Sequence, residues 1–168
     1  NLSNFTISST ITEDFSASST SSTATGKPFT IIGGNPDGYW TGAASKDWFN
    51  CSNWEGFSVP DSSIDVTIPL VASNECEVNR TTSTYALSYG DSAKCRSLTV
   101  DDQKLTIGTA NDVLKSWGDV SIVTGGILDM TSGGNLLLAG DWVNLGSNFT
   151  EGAGTVIFNG VNQNISAE

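Results

Sequence analysis

Asp119 and Asp141 stand 22 residues apart, each directly after a glycine, in a chain that has no histidine at all. The missing imidazole excludes a Ser-His-Asp triad and a Cys-His dyad, and it removes the commonest zinc ligand. Hydrolytic chemistry would then fall to carboxylates, and a pair about 5 to 10 Å apart serves a glycoside hydrolase. Asp101, Asp102 and Asp129 widen the candidate set. Carboxylate oxygens also suit calcium, and Asp119 and Asp141 are the weaker calcium alternative. Lys115 is the one basic residue near the two aspartates in the repeat, which counts against a lyase. Gly-Asp is also turn chemistry, repeated wherever the turn repeats. The preferred reading is that turn, with no catalytic residue and no cofactor.

Residues 39–60, YWTGAASKDWFNCSNWEGFSVP, carry three of the five tryptophans: Trp40, Trp48 and Trp54. Their spacings of eight and six fit neither one helix face nor one strand. Exposed indoles with Asp47, Asn50 and Asn53 beside them would make a sugar platform. Buried indoles would make a plug. The three cysteines, Cys51, Cys76 and Cys95, are not in a CxxC pattern, so a metal knuckle is not expected. An extracellular setting favours one disulfide: Cys76–Cys95 is preferred and Cys51–Cys95 is its rival.

The elements that must position these residues are strands. Charged residues make up 15% of the chain, while Gly, Ser, Thr and Asn are plentiful and runs of helix formers are missing. A net charge of -11 repels nucleic acid and anionic bilayers. No apolar run is long enough to cross a membrane as a helix. With no initiating methionine and no signal peptide, the sequence reads as a piece of a larger mature protein.

Three zones follow. Residues 1–38 hold a Ser/Thr-rich stretch and the run PFTII, read as strands or a linker ending a preceding unit. Residues 39–69 hold the tryptophans and a first strand, DVTIP. From 70 to 168, runs such as CEV, SLTV, KLTIG, DVSI, ILDM, NLLLAG, WVNLG, TVIFNG and NISA recur between turn residues.

These runs repeat. Leu114 falls on Leu136, Gly118 on Gly140, Asp119 on Asp141 and Ile127 on Phe149, and Leu136 then falls on Val156. Extended backward, the pattern places Leu98 before Leu114 and Val78 before Leu98. A period near 20 to 22 predicts a parallel β-solenoid, each coil covering its neighbour's inward residues and laying like on like. The alternative is an antiparallel β-sandwich. A solenoid end exposes strand edges and apolar cross-section, so the tryptophan segment is expected to cap the first coil. Cys76 and Cys95, about one coil apart, would then stack on adjacent coils.

The pattern W-x-G, D-W, N-W-x-G, P, V-x-I-P, here Trp40, Gly42, Asp47, Trp48, Asn53, Trp54, Gly56, Pro60, Val66, Ile68 and Pro69, resembles large surface proteins of Bacteroidetes. GAGTVIFNGVNQNIS near the C-terminus resembles the repeating coil of that group. Such proteins are similar to adhesins and gliding-motility proteins exported by type IX secretion. The resemblance implies an extracellular, non-catalytic stalk or adhesin module. Its expected partners are neighbouring modules of the same chain, surface glycans or secretion and motility machinery. Asp91-Ser92-Ala93 resembles the short O-glycosylation motif of that group, which makes Ser92 a candidate site. Against this stands a carbohydrate-active domain, using either the tryptophans or the aspartates.

Overall fold

The computed structural model describes residues 38–145 and 148–167, so all of the first zone but Gly38 lies outside the described residues. The chain winds as a parallel β-solenoid of three sheets. The first turn is β1 (Val66–Pro69), β2 (Cys76–Val78) and β3 (Ala93–Cys95). The second is β4 (Leu98–Asp101), β5 (Lys104–Ile107) and β6 (Val113–Ser116), and the third is β7 (Val120–Ile122), β8 (Ile127–Asp129) and β9 (Asn135–Leu138). After them come β10 (Trp142–Asn144), β11 (Asn148–Thr150), β12 (Thr155–Phe158) and β13 (Ile165–Ala167). The sheets run β1-β4-β7-β10-β13, β2-β5-β8-β11 and β3-β6-β9-β12. Every strand pairing in them is parallel, which replaces the sandwich alternative.

Strands of three or four residues suffice because each points only one or two side chains inward. Leu98, Leu105, Leu114, Val120, Leu128 and Leu136 are all fully buried in one continuous core. The expected column Leu114–Leu136–Val156 exists as drawn. Each such side chain contributes about 1.5 to 3 kcal/mol by leaving water. It does so only because the next turn covers it.

The backward extension of the repeat fails. Leu98 lies in the first sheet against Val66 and Val120, and Val78 lies on Ile107. Leu114 has Ala93 beneath it instead. The cause is residues 79–92, a long loop with a short 3-10 turn at Ala86–Tyr89, which stretches the first turn and hides its period. One forward match also slips. Ile127 pairs with Asn148, and it is Leu128 that meets Phe149, because the corner before β11 has one residue fewer than the corner before β8.

Corner glycines answer to close approach more than to backbone sign. A Cβ on Gly140 would overlap the backbone of Gly118 and Asp119 in the preceding turn. Gly38 combines both demands: its φ is +66°, and a side chain would strike the Asp65 carbonyl.

Candidate functional site

The tryptophan segment turns back on itself and closes the start of the stack. Tyr39 bridges Thr67 of β1 and Asp47 bridges Glu77 of β2, both in parallel sense. The Trp40 amide donates to the Thr67 carbonyl at 3.0 Å, and the Trp48 amide donates to the Glu77 carbonyl at 3.0 Å. Two of the three leading strand edges are thereby paired. Trp40, Trp48 and Trp54 are each at most 1% exposed. Trp54 sits between the other two, edge to face, at 4.9 Å from Trp40 and 4.7 Å from Trp48. Trp40 Nε1 donates to the Asn74 carbonyl and Trp54 Nε1 to the Trp48 carbonyl, at 2.8 and 2.7 Å. Trp48 Nε1 is buried without a hydrogen-bond partner among the described residues. No face of the three rings is open for a sugar to stack on.

The remaining residues of the motif hold the plug in shape. Asn53 is fully buried, and its amide makes four hydrogen bonds. Oδ1 accepts from the Ala44 and Ser45 amides at 2.8 Å each, while Nδ2 donates to the Asp47 carbonyl at 2.8 Å and to Ser45 Oγ at 2.9 Å. Asp47 accepts from the Phe49 amide at 2.9 Å and from Ser83 Oγ at 2.7 Å, tying the cap to the 79–92 loop. Gly42 and Gly56 take φ of +59° and +81°. Asn50 Oδ1 likewise accepts the Ser52 amide at 3.0 Å, so the polar residues expected to hold a sugar are spent on bonds within the cap and to the 79–92 loop.

Asp119 and Asp141 do lie on one corner of adjacent turns. Asp119 Oδ1 accepts the Asp141 amide at 2.8 Å, and Asp141 Oδ1 accepts the Asn164 amide at 2.8 Å. Asn164 Nδ2 also reaches Asp141 Oδ2 at 3.2 Å. Those bonds draw the Asp141 pKa below the usual carboxylate range. The corner begins further up, where Ser97 Oγ donates to Asp65 Oδ1 at 2.6 Å. Along the column Asp65, Ser97, Asp119, Asp141, Asn164, side-chain oxygens join Ser97 to Asp65, Asp141 to Asp119 and Asn164 to Asp141, while the step from Ser97 to Asp119 is made by the Leu98 amide donating to the Asp119 carbonyl at 2.9 Å. Arg96 also pairs with Asp65, and with Ser97 it draws that carboxylate down to about 2. Asp129 is drawn to about 2 by Lys104 and then Thr131, the lysine lying 2.8 Å away. Asp102 occupies a left-handed turn with φ of +51°. Among the described residues no three His, Cys, Asp or Glu side chains converge on a point where a metal could sit.

Two other expectations are corrected. Cys76 lies on β2 over Leu105, whereas Cys95 lies on β3 over Ser116, so they occupy different sheets of one turn and do not stack on adjacent coils. All three cysteines are free thiols. Burial raises the pKa of both, Cys95 to about 12. Ser92 is 1% exposed, and its hydroxyl donates to Asp91 Oδ1 at 2.9 Å. Folded chain offers no room for a glycan there.

Sequence reasoning missed Asp112 and Trp117. Asp112 is fully buried, accepting from the Arg80 amide at 2.6 Å and from the Thr109 amide and hydroxyl at 2.6 and 2.9 Å. It staples the β5–β6 corner to the 79–92 loop. Trp117 is the half-exposed tryptophan, at 49%. A residue just before the repeated Gly-Asp corner faces outward, and that register was the available signal.

Two clefts accompany the cap. One, of about 200 Å³, is lined by polar side chains including Asp47, Glu77 and Ser83. The other, of about 250 Å³, lies among Trp48, Phe49, Pro60, Tyr89 and Lys94. Compared with known protein families, characterised proteins and solved structures, the chain finds no match.

Proposed function

We propose that this chain is a non-catalytic structural module of a large secreted bacterial surface protein, acting as a rigid stalk or adhesive surface. The observation that carries the reading is the fate of the motif residues. Indoles, Asn53 and the corner aspartates are all spent on closing and stacking the solenoid. Apart from the buried indole nitrogen of Trp48, the polar groups of these side chains are hydrogen-bonded to the protein's own backbone and side chains. Continuous parallel ladders resist bending, as a spacer requires. The resemblance to type IX adhesins and gliding-motility proteins supports an extracellular setting, with neighbouring modules, surface glycans or motility machinery as partners.

The test pairs a glycan array with polysaccharide-cleavage assays, with and without calcium. The expected result is no turnover and no glycan binding through the cap tryptophans. Saturable binding lost in a Trp48→Phe variant that still folds would overturn the reading. So would cleavage lost in Asp119→Asn or Asp141→Asn.

A further inference from the structure

We propose, resting on the adhesive reading above, that the polar cleft where the cap, β2 and the 79–92 loop meet binds one uncharged or amino-bearing sugar residue. The loop is the part of the stack that repetition does not require. The corner between the second and third sheets takes residues 108–112 in the second turn and 130–134 in the third, but residues 79–92 in the first. A long insertion at one corner of a repeating stack is where binding surfaces are built. This one folds back on the cap, with Ser83 Oγ donating to Asp47 Oδ2 at 2.7 Å. Between them remains a cleft of about 200 Å³ whose lining includes Lys46, Asp47, Glu77, Asn79, Thr82 and Ser83.

Size and chemistry both suit a sugar. A cavity of about 150 Å³ takes a bare six-membered ring, so this one takes a ring with its substituents. Every lining side chain ends in oxygen or nitrogen, which calls for a ligand with hydrogen-bonding groups all round. Asp47 and Ser83 are bonded to each other and form wall. Glu77 Oε1 accepts from Asn79 Nδ2 at 2.9 Å, which fixes that carboxylate. Among the described residues nothing bonds Glu77 Oε2 or the Thr82 hydroxyl. A carboxylate oxygen accepts from a sugar hydroxyl, and a threonine hydroxyl both accepts and donates.

Charge selects among sugars. Asp47 and Glu77 are half-buried, and among the described residues no cation pairs with either, because Lys46 is held by Glu75 at 3.2 Å. Their field reaches Cys76, whose thiol is pushed up first by burial and then by these two carboxylates. An acidic sugar is repelled there, a neutral one is accepted and an ammonium group is attracted. A divalent cation fits less well. Only two carboxylates line the cleft, both already hydrogen-bonded, and a lysine lines it with them.

Calorimetric titration of the 168-residue chain with methyl glucoside, methyl galactoside, methyl mannoside, glucosamine and glucuronate tests this. The expected result is saturable heat with at least one of the first four, none with glucuronate, and no change on adding EDTA. Glu77→Gln and Thr82→Val keep the side-chain shape, and each should weaken binding about tenfold or more while the chain melts unchanged. Trp48→Phe and Trp117→Ala should leave binding intact. No heat with any of these sugars would overturn the proposal and leave the structural reading standing. Heat unchanged in both Glu77→Gln and Thr82→Val would also overturn it. Heat lost in a folded Trp48→Phe would overturn both. Calcium that alone raises the melting temperature of the parent chain but not of Glu77→Gln would overturn the proposal in favour of a cation site.

Discussion

The first and the last described turns of this solenoid bury the same columns to different extents. At the leading end, Trp40, Trp48 and Trp54 cover the first turn and the neighbouring backbone pairs two of its three edges. In the last described turn, the same inward columns continue into Phe158 and Ile165, both substantially exposed within the described residues. The strands are three or four residues long in both places. What differs is the chain around them. An irregular segment with an aromatic core is expensive in conformational entropy and holds only through dense packing and satisfied amides. The contrast therefore predicts that sensitivity to substitution falls steeply from the first turn to the last.

The largest effect should come from Trp54→Ala. It removes the ring between two others and the donor to the Trp48 carbonyl, and it should cost about 3 to 5 kcal/mol in urea unfolding. A loss below about 1 kcal/mol would mean that the plug is ornamental. Replacement by phenylalanine sharpens the point. Trp54→Phe strands a buried carbonyl and should cost about 1 to 3 kcal/mol more than its lost area implies, whereas Trp48→Phe removes an indole N–H that bonds nothing described. Trp54→Phe melting well below Trp48→Phe is the expected order, and the reverse order would refute the hydrogen-bond account.

Most of the regular part was legible from residue spacing. Gly118 and Gly140, Asp119 and Asp141, and Leu114 and Leu136 betray the stack because close approach, corner bonding and core burial each demand a residue type at fixed intervals. Where those demands lapse, the signal vanishes. β3, which follows a loop that breaks the period, β6 and β11 are not among the runs that read as strands. The cap's position was legible from the need to close an end. The role of Asn53 was not, because four hydrogen bonds to residues six to nine positions away leave no periodic trace. Ser92 and the Cys76–Cys95 pair were misplaced for a related reason. Burial and sheet membership inside an irregular first turn cannot be counted off in steps of 22.

Between the extremes lie the ion pairs. Asp65 and Asp129 have folded pKa values near 2, below the unfolded value of about 3.9, so their contribution is present above that unfolded value. It is lost as pH falls from about 4 through 2. Melting temperature should drop across that window, and Asp129→Asn should flatten the drop more than Asp65→Asn does. The Lys104–Asp129 pair is the less exposed, and solvent screens the Arg96–Asp65 pair more. The thiols give a parallel reading of depth. Cys51 is partly exposed and should react with a disulfide reagent in the native chain, while buried Cys76 and Cys95 should wait for unfolding. Prompt reaction of all three would show that the first turn opens readily.

The smallest effect belongs to Trp117, and it calibrates the others. Its ring is half-exposed on the outside of the stack, so Trp117→Ala should change stability by no more than about 0.5 kcal/mol. The optical change should nevertheless be large. Trp40, Trp48, Trp54 and Trp142 are all at most 6% exposed, so quenching by acrylamide, a neutral reagent indifferent to the chain's negative charge, should act mainly on Trp117. Removing that residue should abolish most of the quenchable, red-shifted emission and leave the melting curve in place. Quenchable emission that persists in Trp117→Ala would have to come from the cap. It would place the indoles in contact with solvent and refute the account of a sealed cap.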